Sequence, residues 1–202
     1  MRKDIKEIVV ATKNLGKVTE FKAALSGLPY TVMSLTDLGI YPEAPENGVT
    51  FEENARSKAE FYARLTGKLC LADDSGLEVD YLKGEPGVYS ARYAGEHASD
   101  EDSNKKLLDN LTGIPAEKRT ARFRCVLALA DTEKTLLTAN GTVEGIVLTE
   151  PRGNNGFGYD PLFFVPELDK TMAEMLPVEK NGISHRGRAI KMLVEQLAQM
   201  NE

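Results

Sequence analysis

The N-terminal stretch constrains the fold of this chain more than any other. IKEIVVAT (residues 5–12) is a short β-branched run, and after a polar break Val18, Phe21, Ala24, Leu25 and Leu28 fall on one helical face. Strand, loop and amphipathic helix follow one another, and the pattern continues. YTVMSL (30–35) reads as a second strand, and the acidic, Pro-containing segment from Tyr41 to Gly48 as a loop. Thr50 and Glu53 have capping-box spacing and open a helix to about Leu65, which Gly67 stops. KLCLA (68–72) is a strand, and DDSG (73–76) has the residue types of a turn. From Ser99 to Leu111 an acidic first turn and three leucines predict a helix. TARFRCVLALA (120–130) alternates as a strand, and residues 134–148 supply one or two more, with Asn140-Gly141 as a hairpin turn or a bulge. Ala189, Ile190, Leu193, Val194 and Leu197 close the chain with an amphipathic helix that Ser184 can cap. Strands and helices alternate early and strands cluster in the middle, so the expected class is α/β around a mixed sheet. No repeat or linker divides residues 1–202.

Composition narrows the function. A net charge of −6 and the absence of a basic stripe argue against a general grip on nucleic-acid backbone, which needs clustered Lys and Arg. A small anionic ligand is compatible, since a few local cations or a metal suffice. Cys70 and Cys125 lie in apolar runs, which suits buried thiols in a reducing compartment better than a disulfide framework. No apolar run approaches the ~18 residues of a membrane span, and the first residues do not form a signal peptide. The expected location is cytoplasmic.

Five segments carry residues suited to chemistry. TKNLGK (12–17) lies between strand and helix, where backbone N–H groups and the helix dipole favour an anion and Thr12, Asn14 and Lys17 could complete a phosphate cradle. It is not a P-loop, because Ala11 and Val18 occupy positions that need Gly and Ser or Thr, and an ordinary turn with a solvated lysine would look the same. Asp73, Asp74 and Ser75 follow an apolar strand, where ligands bind in open α/β sheets, and paired carboxylates suit Mg²⁺. Upstream, Glu46 has no structural explanation of the kind that capping gives Glu53; Lys58 is either a surface lysine or a phosphate contact. PRGNNGFGYDP (151–161) interleaves glycines with Phe157 and Tyr159, giving either faces for a base to stack on or aromatics that fill the core. Lys180 and Ser184-His185-Arg186 precede the last helix, where His185 and Arg186 either donate to a base oxygen or phosphate or form a solvated surface pair. Two histidines and two separated cysteines make a zinc site improbable, and no GxSxG elbow occurs.

Taken together and in order, VATKNLGK (10–17), GVTFEENA (48–55), LADDSGLEV (71–79), GVYSARYAG (87–95), GFGYDPLF (156–163) and ISHRGRA (183–189) resemble the inosine/xanthosine triphosphatase family, pyrophosphatases of non-standard purine nucleoside triphosphates. The matching strings span almost the whole chain. The resemblance implies Mg²⁺-dependent hydrolysis of ITP, dITP and XTP to the monophosphate and pyrophosphate. It implies a homodimer of single-domain chains, two-lobed around a long mixed sheet, with the active site in the cleft between lobes. Carried over by position, Thr12, Asn14, Lys17 and Lys58 would hold the triphosphate. Asp74 would be general base and metal ligand, Glu46 the second metal ligand, and Ser75 a substrate contact. Phe157, Gly158, Tyr159, Asp160, Lys180, His185 and Arg186 would surround base and sugar. Lys13 would lie at a variable position of the first motif, and Asp73 would be mainly supporting. The rival readings are a pyrophosphatase for other modified nucleotides and a nucleotide-binding regulator without turnover; no nucleic acid or membrane partner is expected.

Overall fold

A computed structural model describes residues 5–40 and 42–200; Tyr41, the expected start of the acidic loop, lies outside them. Strand β1 (Lys6–Val10) is flanked by β2 (Tyr30–Ser34) and β3 (Leu69–Val79), both parallel to it, with Val10 opposite Ser34 and Leu71. Helix α1 (Leu15–Leu25) joins β1 to β2 and buries Val18, Phe21 and Leu25. It stops at Leu25, so Leu28 falls in the connection rather than on the helix face.

Helix α2 (Phe51–Thr66) starts where expected. Thr50 accepts the Glu53 N–H at 3.1 Å, and Glu53 accepts the Val49 N–H at 2.8 Å, one residue earlier than a standard box. Ala55, Ala59 and Ala63 form its buried stripe, and Gly67 closes it. Strand β3 then departs from expectation. DDSG does not turn; the strand runs through it to Val79. Its glycine has a tertiary reason: a Cβ at position 76 would lie too close to Ser90 Oγ and Gly87 O, and the Leu77 N–H donates to that hydroxyl at 2.9 Å. Glycine here permits close approach of another backbone segment.

Helix α3 (Asp100–Asn110) carries the expected acidic first turn, with Ser99 and Asp102 as a full capping box. Strands β4 (Thr120–Ala130) and β5 (Thr135–Val147) are neighbours joined by a turn in which Asp131 Oδ1 accepts two backbone N–H groups. Asn140-Gly141 is therefore not a hairpin; β5 passes through both. Strands β6 (Phe163–Val165) and β7 (Lys170–Thr171) add antiparallel partners, giving a seven-stranded mixed sheet in the order β2-β1-β3-β4-β5-β6-β7. Helices α4 (Pro177–Ile183) and α5 (His185–Met200) end the described chain, and Ser184 caps α5 by accepting the Gly187 N–H at 3.1 Å.

The chain resolves into two compact units, residues 1–74, 126–140 and 189–202 in the first and 75–125 and 141–188 in the second. The first buries Ile8, Phe21, Leu71, Leu127, Leu193 and Leu197. The second has a core that includes Leu77, Leu107, Phe123, Tyr159, Leu162 and Phe163. Each such side chain contributes roughly 1.5–3 kcal/mol against exposure. Cys70 and Cys125 are buried thiols that form no disulfide. Among the described residues no helix is long and apolar enough to cross a membrane.

Candidate active site

In the first unit β1 ends before its neighbour. Its last contact with β3 is the Ala11 N–H on Leu71 O at 2.8 Å, so β3 continues past the carboxyl end of β1 carrying Asp73 and Asp74. This is the position where open parallel sheets place ligands. The chain leaving β1 turns through Thr12, whose hydroxyl accepts the Asn14 N–H at 3.1 Å. Asn14 is the N-cap of α1: its Oδ1 accepts from Gly16 N at 2.9 Å and Lys17 N at 3.2 Å. Two of the amides that the sequence offers to an anion, those of Gly16 and Lys17, are thus taken by the cap, and Lys17, in the first turn of α1, reaches β3. Its ammonium meets Asp73 Oδ2 at 2.8 Å, and Asp73 is buried. Lys13 pairs instead with Glu43 on the exposed surface, where such a pair contributes little.

Helix α2 supplies the opposite wall from residues four apart, which share one face. Lys58 forms an ion pair with Glu46, and its ammonium lies 3.4 Å from Asp73 O. The Tyr62 hydroxyl donates to Pro42 O at 2.9 Å and accepts the Ala44 N–H at 3.3 Å. Asn54, almost wholly buried, donates through Nδ2 to Asp74 Oδ2 at 3.0 Å and accepts the Gly48 N–H at 2.8 Å. The loop bearing Glu46 is thus pinned to α2 at three points. Sequence reasoning missed Asn54, although a signal existed: it is a polar residue in the otherwise apolar stripe of an amphipathic helix.

The electrostatics centre on Asp74. Burial pushes its carboxyl up to about 6; the Asn54 hydrogen bond and the Lys58 charge work against that rise, while Glu46 and Asp73 add to it. Burial pulls the Lys58 ammonium down, but Glu46, Asp73 and Asp74 outweigh it and hold the group above its ordinary value. Among the described residues no group of three or more His, Cys, Asp or Glu forms a metal cage. The donor set nevertheless fits Mg²⁺, which commonly uses one or two carboxylates and completes its shell with water and phosphate oxygens. Asp74, disfavoured as an anion by its own surroundings, is the group a divalent cation would relieve.

The second unit holds the remaining predicted residues and separates them. Phe157 is 61% exposed with the Lys180 ammonium 4.9 Å from its ring centre, whereas Tyr159 is 5% exposed, in the core, its hydroxyl on Ser90 O at 2.8 Å. One aromatic is largely exposed and the other is packing. Asp160 is buried inside the same loop, accepting the Phe157 N–H at 2.9 Å and the Lys180 ammonium. Gly158 is gripped from α3, its N–H on Asp100 Oδ2 at 2.6 Å and its carbonyl on Asn104 Nδ2 at 2.9 Å. The His185 ring stacks on Phe123 with centroids 4.9 Å apart and is buried rather than solvated. Arg186 Nη2 lies 3.4 Å from the Ser75 hydroxyl, which follows Asp74 directly on β3.

The sequence profile of the Ham1 family matches residues 8–196. A dITP/XTP pyrophosphatase of Bacillus licheniformis is 56% identical over 195 residues, covering 96% of this chain and 100% of that protein. Among solved structures, the Staphylococcus aureus Ham1 protein superposes with a TM-score of 0.90 at 45% identity, over 96% of this chain and 100% of that one. A nucleoside-triphosphatase / dITP/XTP pyrophosphatase from Mycobacterium abscessus gives 0.80 at 43% identity, over 93% and 98%. A profile match over nearly the full length, and relatives aligned end to end, establish that this chain belongs to the Ham1 family.

Proposed function

We propose that this chain is a nucleoside triphosphate pyrophosphatase that hydrolyses ITP, dITP and XTP to the nucleoside monophosphate and pyrophosphate, clearing non-standard purines from the nucleotide pool. The observation that carries this reading is the buried Asp74 carboxylate, raised by its surroundings and flanked by Asn54, Lys58 and Glu46. A base near neutrality suits proton transfer from water. The names of the relatives support the substrate class.

In this reading Asp74 takes a proton from water as the water oxygen bonds to the α-phosphorus and the bond to the bridging oxygen breaks. Lys17 and Lys58 hold the triphosphate and neutralise charge on the departing pyrophosphate. Thr12 and Asn14 lie in the same loop as Lys17, and the Asn14 amide nitrogen is the donor it could present once its oxygen has capped α1. Glu46 and Asp74 would hold Mg²⁺, which when bound supplies positive charge for the phosphates. Phe157 offers its exposed face to the base. Arg186 donates toward the C6 carbonyl of hypoxanthine or xanthine, where adenine carries an amino group; such a mismatch can cost ~10⁴–10⁵ in specificity. Ser75, beside Asp74, contacts the substrate, and His185, Gly158, Tyr159, Asp160 and Lys180 shape the base side. The buried reduced thiols support a cytoplasmic location, and the family resemblance supports a homodimer.

The test is pyrophosphate release from ITP, dITP, XTP, ATP, GTP and dUTP, with Mg²⁺ and with EDTA, beside Asp74→Asn. Release confined mainly to the first three, lost with EDTA and in the variant, is expected. Tight ITP binding without turnover would refute the enzymatic reading.

A further inference from the structure

We infer that Asn54 is a positioning residue for the reaction, its single amide fixing the Asp74 carboxylate at one end and the Glu46 loop at the other. The inference rests on the function proposed above. A backbone N–H can only donate, so the Gly48 N–H requires an oxygen facing it, and Asn54 Oδ1 takes that place at 2.8 Å. The orientation of the amide then follows: its nitrogen must face Asp74, where it donates to Oδ2 at 3.0 Å. Neither end can be exchanged. Aspartate would keep the Gly48 bond but place a carboxylate against a carboxylate, and alanine would satisfy neither partner.

Two further observations fit the same assignment. Asn54 is 1% exposed, so its amide is not solvating a surface, and a buried amide persists when both ends are partnered. Gly48 is pressed against it: a Cβ at position 48 would stand 2.7 Å from Asn54 Oδ1 and 2.8 Å from Glu53 Cβ. The loop that carries Glu46 is thereby held against the side chain that orients Asp74, and Lys58, one turn further along α2, grips Glu46 from the same face. Hydrogen bonds of this supporting kind typically affect activity or metal affinity about 10- to 100-fold.

The experiment compares Asn54→Ala and Asn54→Asp in the full chain. If Asn54 only fills space and tethers the loop, Asp, isosteric and still accepting from Gly48, is the milder change. If it positions Asp74, Asp is the more severe. We expect kcat to fall about 10- to 100-fold in Asn54→Ala and further in Asn54→Asp, with KM for the nucleotide within about threefold of wild type in both. Asn54→Asp with activity equal to or above that of Asn54→Ala, or a raised KM with unchanged kcat, would overturn the assignment. Urea unfolding of the metal-free protein at pH 8 gives a second readout that does not depend on turnover. Asn54→Asp should lower the midpoint by at least twice as much with Asp at position 74 as in the Asp74→Asn background. Equal shifts in both backgrounds would show that the two side chains are not coupled and sink the inference. Were wild type inactive on every nucleotide, the proposed function would fail while this coupling could still be read.

Discussion

Removing the charge of Asp74 should abolish turnover and at the same time make the metal-free protein more stable. The carboxyl stands at about 6 in the fold against an ordinary 3.8, chiefly because it is buried. A folded-state value above the unfolded one means that the native state binds the proton more tightly, so wild type loses stability as pH rises through that interval. At about 1.36 kcal/mol per unit, the loss is complete above pH 6 and amounts to about 2–3 kcal/mol. Asparagine has the same shape, no charge to desolvate, and a carbonyl that still accepts from Asn54 Nδ2. In a chain of this length each kcal/mol moves the melting temperature by ~2–4 °C. Asp74→Asn should therefore melt roughly 5–10 °C above wild type at pH 8 in EDTA, by calorimetry or circular dichroism. The gap should close as pH falls from 6 towards 4, where Asp74 becomes protonated in the native state. A variant no more stable than wild type at pH 8 would refute the desolvation argument; one with near-normal kcat would remove Asp74 from the chemistry.

Phe157→Ala removes an exposed ring and should leave the melting temperature unchanged while raising KM for XTP, since base–aromatic stacking contributes about 1–3 kcal/mol; steady-state kinetics beside a thermal scan separates the two. Arg186→Ala should narrow the ratio of kcat/KM for ITP over ATP, and an unchanged ratio would count against its role at the C6 edge. Asp160→Ala strips the buried partner from the Lys180 ammonium and the Phe157 N–H, and should destabilise the fold by roughly 3 kcal/mol in urea unfolding.

Much of this architecture is written locally. The capping residues at Thr50, Ser99 and Ser184 act within four residues of themselves, and the periodicity that buries Val18, Phe21, Leu193 and Leu197 is a property of each helix alone. Such features are readable because the interactions that enforce them lie within the same segment. Asp74, Glu46 and Lys58 were visible as residue types suited to phosphate and metal, although folding places Asp74 inside β3 and Lys58 midway along α2.

What the tertiary structure decided is what those residues touch. DDSG has the composition of a turn, yet it lies inside β3, where the approach of Ser90 and Gly87 leaves no room for a side chain at position 76. Phe157 and Tyr159 are two residues apart and chemically alike, but one faces out and the other fills the core, a difference set by the packing of the second unit. Asn14 became a helix cap, its Oδ1 accepting the Gly16 and Lys17 N–H groups that an anion could otherwise have taken. Asn54, a lone polar residue on an apolar stripe, gained its place from Gly48 and from Asp74, six and twenty residues away. Local hydrogen bonding and periodicity fix the elements; burial of a polar group, and hence its chemistry, is decided by the partners that folding brings to it.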